Sequence, residues 1–444
     1  MANGVASNND SLVGKAPLKF LFVSLESLSG DLAWTLKKEG HEVKVYIKAK
    51  EDQDVYNGFV EKVHRWEEWI DWSDVVVFDD VGFGEIADQL RKKEKLVVGG
   101  SSYTDRLEVD REFGQEELKK YGVNILPSWN FVNYDEAIAF IKKNPARYVF
   151  KPSGHIPASR KDLLFLSEEE DGNDLQELLS QNKKVFQRKA PAFQLQKFVS
   201  GVEIAVGAFF NGKDFILPVS VNFEHKRLFP GDLGLFTGEI GTLMFWDSPN
   251  ELFKATLERT LPALRSSGYR GYIDINCIVN GRGIYPLEWT CRFGYPTISV
   301  QQEGISMPNG EWLYRLARGE SFDLKVRRGF QIGVSIMVPA YFAGDTDEET
   351  TEVYRDLPVL FKKSSGYEGI HIYDVKVEDG VWRIAGVSGY PVVVTGSGTT
   401  VGEAQKQAYS RVQNIMIQNM FYRTDIGAKW TEDSDKLHTW GYLD

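Results

Sequence analysis

Two cysteines, Cys277 and Cys291, are all that the 444 residues contain. That excludes a disulfide framework, argues against a thiolate-built metal site, and makes a reducing compartment, the cytoplasm, the default expectation. Basic charge is also short, with a net charge of -11. A general nucleic-acid binder shows a basic excess or stripe, so that class is set aside. No apolar run reaches the ~18 residues of a membrane-crossing helix. Residues 1–16 are polar, lack the apolar segment of a signal peptide, and read as a flexible tail. A Ser/His/Asp or Cys/His pattern for a side-chain nucleophile is missing too.

What is present is an ordinary globular composition, 42% hydrophobic and 26% charged, in a chain too long for one core. Residues 17–105 alternate apolar strands with helical stretches: Leu18–Val23, Asp31–Glu39, His41–Ile47, Val75–Phe78 and Leu96–Gly100. That alternation predicts a doubly wound parallel sheet, with ligands at the carboxyl ends of its strands, which makes Ser24–Asp31 a candidate site loop. A helix is expected over 108–121 and strands over 148–152 and 202–211, with another held within 185–199. Thr237–Thr242 reads as a glycine-containing loop, and residues 249–267 as helical. Beyond residue 325 short strands precede a helix started by Thr399-Thr400 with Glu403 in its first turn, an α+β unit.

The most informative stretch is Leu287–Pro296, which follows a strand-like run from Gly271 to Val279 and a turn at 280–283. Glu288 stands at a strand end, Arg292 four residues later, and Gly294-Tyr295-Pro296 turns the chain. Mg²⁺ is held by one or two carboxylates plus substrate phosphates, and arginine suits phosphate geometry. An ordinary hairpin with a surface Glu–Arg pair is the competing reading.

Four features stand in order: strand-end Lys151, an extended segment Leu195–Glu203, the strand Gly271–Asn276, and Glu288 with Arg292. This order resembles the ATP-grasp superfamily. Within it the chain is most similar to the glycinamide ribonucleotide synthetases, the phosphoribosylamine–glycine ligases, from about residue 18 to 430. His225-Lys226-Arg227 with the loop 234–241, Cys291-Arg292-Phe293-Gly294-Tyr295-Pro296, the helix from Thr400 and Tyr422–Gly427 carry the resemblance. It implies an N-terminal parallel-sheet domain (17–105), an ATP-grasp domain (106–325, lid about 125–200), a small C-terminal mixed domain (326–430) and a tail (431–444). It also implies ATP with Mg²⁺ or Mn²⁺, and an amide formed through an acylphosphate from a carboxylate such as glycine and an amine, a step of purine biosynthesis. The nucleotide would be held by Arg111, Lys151, Gln196, Lys197, Val199 and Glu203. The metal would be held by Glu288 and Thr290 with Asp274 or Asn276, and Arg227 and Arg292 would act on the reacting groups. A monomer or small homo-oligomer is expected.

Several positions depart from the family. Its glycine-rich N-terminal loop is here Ser24–Asp31, where Glu26 and Asp31 would repel a phosphate. Its glycine-rich lid is here Ser153–Lys161, with one glycine, Gly154. Thr290 stands for a metal-binding Asn, and Tyr295 and Thr297 replace two carboxylates. These changes keep a second reading in view: an inactive or nucleotide-binding scaffold of ATP-grasp fold.

Overall fold

The computed structural model describes residues 16–153, 163–339, 352–362 and 366–443. The first sheet is parallel throughout, in the order Glu61–Lys62, Glu42–Ile47, Lys19–Ser24, Val75–Phe78, Leu96–Val98. Its strands are apolar because helices cover both faces; Phe20, Leu21, Phe22 and Val75 to Phe78 are all buried. The strand order reverses between Lys19–Ser24 and Val75–Phe78, so the loops after these two strands flank the crevice where such sheets take ligands.

A separate antiparallel sheet runs Ser128–Phe131, Ala192–Lys197, Tyr148–Ser153, Phe165–Leu166. It has its own core of Tyr134, Phe150, Phe193 and Leu195, closed by the helices Tyr134–Lys143 and Asn173–Lys189. The strand expected within 185–199 is Ala192–Lys197, and the helix before it extends to Lys189.

The largest sheet is antiparallel and has eight strands, in the order Gly283–Thr290, Gly271–Asn280, Val202–Phe210, Phe215–Phe229, Leu233–Asp247, Phe330–Ile336, Val392–Gly398, Ile370–Ile372. It crosses the change in pattern near residue 325, so strands from the C-terminal stretch extend the central sheet. A further small sheet pairs Val375–Glu378, Val381–Ile384, Pro358–Phe361 and Ile415–Met416.

Three local expectations are corrected. Thr237–Thr242 is strand, not loop: the glycine at 241 permits close packing, since a Cβ there would lie 2.5 Å from Ile426 Cδ1 and 2.8 Å from Gly333 O. The helix expected over 108–121 breaks at Asp110, which ends Ser102–Val109 and caps Arg111–Lys120 by accepting from Phe113 N at 3.1 Å. The expected tail 431–444 contains most of the helix Trp430–Thr439, held by Trp430 packed edge-on against Phe223, Phe245 and Phe330. The helix expected over Thr400–Asn419 begins as expected but ends at Val412, because Ile415–Met416 pairs as a strand with Pro358–Phe361. Thr400 Oγ1 accepts from Glu403 N at 3.2 Å, and Glu403 accepts from Thr399 N at 2.9 Å. No helix among the described residues is long and apolar enough to cross a membrane.

Candidate functional site

Side chains alternate along a strand, and strand pairing fixes which of them share a face. Asn276 lies opposite Glu288, and Asp274 opposite Thr290. Ala205 lies opposite both Asn276 and Asn222. Glu203, Glu224, Asp274, Asn276, Glu288 and Thr290 therefore share one face of the large sheet. Gly207 lets Tyr272 and Asp274 pack close over the strand, since a Cβ there would stand 2.2 Å from Tyr272 OH and 2.7 Å from Asp274 Cβ.

Lys226 is the hub of that face. Its Nζ stands 2.8 Å from Glu203 Oε1, 2.9 Å from Glu288 Oε1 and 3.2 Å from Glu224 Oε2. Asn276 Nδ2 donates to Glu224 Oε2 at 3.0 Å. Burial opposes the charge on Lys226, but Glu203, Glu288 and Glu224 outweigh it and hold the ammonium well above the usual lysine range. Deeper in, burial and then the Glu224 charge push both Asp274 and Glu239 well above the usual carboxylate range. Thr297 Oγ1 donates to Glu239 at 3.3 Å.

Lys151 is half-buried at the rim, within electrostatic reach of Arg111, Glu288, Lys226 and Glu203. Burial, reinforced by Arg111, brings its ammonium down to about 7. Arg111 donates to Pro152 O at 3.4 Å, which keeps it beside the strand that carries Lys151. Gln196 is buried between Val149 and Ser128, and Lys197 is exposed, its N–H donating to Pro127 O at 2.9 Å. Val199 lies in the link to Val202–Phe210. These residues join the small antiparallel sheet to the large one.

Two residues expected at the reacting groups point elsewhere. Arg227 donates to Gly234 O at 2.6 Å and lies 3.6 Å over the Phe236 ring. It follows Lys226 by one position on a strand, so alternation turns it away from the hub. Arg292 pairs with Glu108 at 2.9 Å and Asp80 at 3.2 Å, tying the central sheet to the parallel-sheet domain. Glu108 also accepts from Cys291 N at 2.7 Å, which fixes the turn. The lid residues 154–162 lie outside the described residues, so the glycine-poor lid is not placed.

The residue that sequence reasoning passed over is Lys226, with Glu224 and Glu239. The signal was available: Asn222, Glu224 and Lys226 alternate along a strand whose other members are mostly apolar. The quoted His-Lys-Arg motif drew attention to the arginine instead.

Asn276 Oδ1 and Asp274 Oδ1 are buried with no hydrogen-bond partner among the described residues. All the donors on this face are oxygens, the ligand type that Mg²⁺ takes. Among the described residues no group of three or more His, Cys, Asp or Glu side chains is arranged to hold a metal by itself. Mg²⁺ does not require one, since substrate phosphates complete its shell. These side-chain oxygens are of the type that ion takes.

Residues 109–298 match the family described as phosphoribosylglycinamide synthetase, ATP-grasp (A) domain. The chain is 26% identical over 369 residues to the phosphoribosylamine–glycine ligase of Clostridium acetobutylicum, covering 77% of this chain and 81% of that one. It is 22% identical over 427 residues to the enzyme of that name from Rhizobium meliloti, covering 92% and 98%. The crystal structure of phosphoribosylamine–glycine ligase from Thermotoga maritima superposes with a TM-score of 0.68 at 21% identity, over 92% of this chain and 100% of that one. Biotin carboxylase from Campylobacter jejuni gives 0.61 at 13% identity, over 95% and 97%. The fold is that of the ATP-grasp proteins, and within that superfamily the chain resembles glycinamide ribonucleotide synthetase.

Proposed function

We propose that the chain is an ATP-dependent carboxylate–amine ligase, related to phosphoribosylamine–glycine ligase, that forms an amide through an acylphosphate. We also take residues 17–105, 106–325 and 326–430 as its working units. The observation that carries the reading is the convergence of Glu203, Glu224 and Glu288 on the Lys226 ammonium, with Lys151 and Arg111 at the rim.

In this reading the adenine lies along Gln196–Val199, the ribose hydroxyls donate to Glu203, and the phosphates approach Lys151 and Arg111. Mg²⁺ supplies charge neutralisation on the triphosphate. The incoming phosphates draw Lys226 off the carboxylates and so free Glu288 opposite Asn276. A carboxylate oxygen of the amino acid, glycine being the first to try, attacks the γ-phosphorus and ADP leaves. The amine, as its free base, attacks the acyl carbon; phosphate leaves and the nitrogen loses a proton. The chain positions these groups and neutralises charge, and no side-chain nucleophile is needed.

The second reading, a nucleotide-binding scaffold, is favoured by the same lysine: Lys226 already neutralises the carboxylates that would hold the ion. Incubation with Mg²⁺, ATP, glycine or another amino acid, and a panel of amines separates the two. Phosphate release with an amide visible by mass spectrometry, requiring both substrates, supports the ligase. Nucleotide binding without phosphate release under any pair supports the scaffold.

A further inference from the structure

The strand Ile370–Ile372 lies at the edge of the large sheet and touches the helix Gly30–Lys38 of the parallel-sheet domain. Its middle residue, His371, stands opposite Val393, so Thr395, two residues on, shares its face. The imidazole bridges the two units. Its Nδ1 is 2.7 Å from Asp31 Oδ2, and its Nε2 is 3.0 Å from Thr395 Oγ1.

Counting protons fixes the state of the ring. Asp31 is buried and also accepts from Ile372 N at 3.0 Å and Gln302 Nε2 at 3.1 Å. Burial opposes its charge, but His371 and the other partners outweigh burial and hold the carboxyl below the usual range. An ionised carboxylate only accepts, so Nδ1 carries a proton. On the other side, Thr395 has one hydroxyl proton and two acceptors for it, Glu303 Oε2 at 2.8 Å and Gly369 O at 3.4 Å. Glu303 serves as an acceptor because it faces two guanidinium groups, Arg411 at 3.1 Å and Arg327 at 3.5 Å, and takes Ser397 Oγ at 3.0 Å. With the hydroxyl proton directed there, Nε2 must donate as well. The arrangement is complete only for the doubly protonated, charged ring.

Without the second proton the hydroxyl has to choose. If it turns to Nε2, Thr395 Oγ1 and Glu303 Oε2 face each other with no hydrogen between them. If it stays, the Nε2 lone pair faces an oxygen. Either way a buried polar contact is left unmade. A cavity of about 160 Å³ is lined by His371 and Glu303 with Thr35, Gln302 and Arg327, which gives solvent protons a route to the ring. Imidazole is the side chain that changes charge between about pH 5 and 8. Among the described residues the other charges nearby are Glu368, on Arg411 at 2.9 Å, and Lys38, within electrostatic reach of Asp31.

We infer that His371 is a proton-operated latch between the parallel-sheet domain and the C-terminal strands: charged, it holds Asp31 and Thr395 together, and neutral, it lets them part. Asp31 closes the Ser24–Asp31 loop at the carboxyl edge of the parallel sheet, so the latch sets how firmly a loop beside the ligand crevice is held. Protonation favours the latched form, so the contact is present at low pH and is lost as pH rises. Nothing in the latch depends on the ligase reading.

The test is deuterium exchange of the full chain without nucleotide at pH 6 and pH 8.5, corrected for the intrinsic effect of pH on exchange. The segment 370–373 contains the Ile372 N–H that donates to Asp31. Its protection should fall about tenfold at the higher pH. The segment 193–195, in the separate core of the small sheet, should keep its protection. His371→Gln should lose most of the difference. Asp374 adjoins the segment and is itself pushed up by burial, so an equal fall in His371→Gln overturns the latch and gives the effect to Asp374. Imidazole ¹⁵N spectra supply a second reading on the native chain, where the His371 signals are those shifted by Thr395→Val. At pH 6 both ring nitrogens should carry hydrogen. A neutral ring at that pH, or no fall in protection at pH 8.5, overturns the latch.

Discussion

Around Lys226, Glu203, Glu224 and Glu288 share one ammonium. At the edge of the parallel sheet, Glu26, Asp52 and Asp374 have none among the described residues. Residue type is the same in both places, and the outcome differs. The hub keeps a charged lysine deep in the fold because three acids face it. The edge instead raises Asp52 and Asp374 because burial outweighs what lies near them: Ser388 N donates to Asp374 at 3.0 Å, and Lys62 and Arg355 are only within electrostatic reach of Asp52. A buried carboxylate is therefore informative only together with its nearest cation.

The largest effect that could break this comparison comes from the hub. Lys226→Met would leave three acids facing one another and should cost about 3–5 kcal/mol, the range for stripping one partner from a buried ion cluster. Urea unfolding reads this directly. Added Mg²⁺ should recover part of the loss, where the same ionic strength of NaCl recovers less. Equal recovery by both salts would mean that the face has no preference for a divalent ion.

The edge has a pH signature of definite sign. Asp52 rises from 3.8 unfolded to about 7 folded, so between these values the folded chain binds more protons than the unfolded one. Its contribution to stability is fully present below about pH 4 and is lost as pH rises toward 7, with a slope of up to about 1.4 kcal/mol per pH unit. Asp52→Asn should flatten that part of the urea-midpoint profile. An unchanged slope would mean that Asp52 already has a partner.

Lys151 gives a smaller effect in the same window. With its ammonium held near 7, nucleotide affinity should fall as pH rises from 6 to 8.5, and Lys151→Arg should remove most of that fall. Calorimetry at several pH values checks it. The smallest change serves as a control. Lys436 pairs with Glu432 on the surface of the last helix, and Lys436→Ala should leave the urea midpoint within error.

Much of the fold was legible in the sequence because its strands are apolar and punctuated. Val75–Phe78 was readable from composition alone, since burial on both faces demands four apolar residues in a row. The long strand Leu233–Asp247 was not, because its glycines look like a loop until Ile426 and Gly333 are seen packed on one of them. The last helix was missed because its anchor, Trp430, meets Phe223, Phe245 and Phe330, all distant in sequence. At the site, Glu288, Asn276, Asp274 and Thr290 could be grouped from strand alternation, and register places them side by side. Lys226 could have been chosen over Arg227 from its alternation with Asn222 and Glu224, but the His-Lys-Arg motif drew attention to the arginine.

The central claim is that the Lys226-centred face takes a nucleotide with its magnesium. Thermal unfolding with and without saturating Mg²⁺-ATP, on the native chain and on Glu288→Ala, tests it most directly. Ligand at about a hundred times its Kd adds roughly 2.7 kcal/mol, a rise of a few degrees. The account predicts that rise in the native chain, dependent on Mg²⁺ and lost in Glu288→Ala. No rise in the native chain, or an equal rise in the variant, would contradict it.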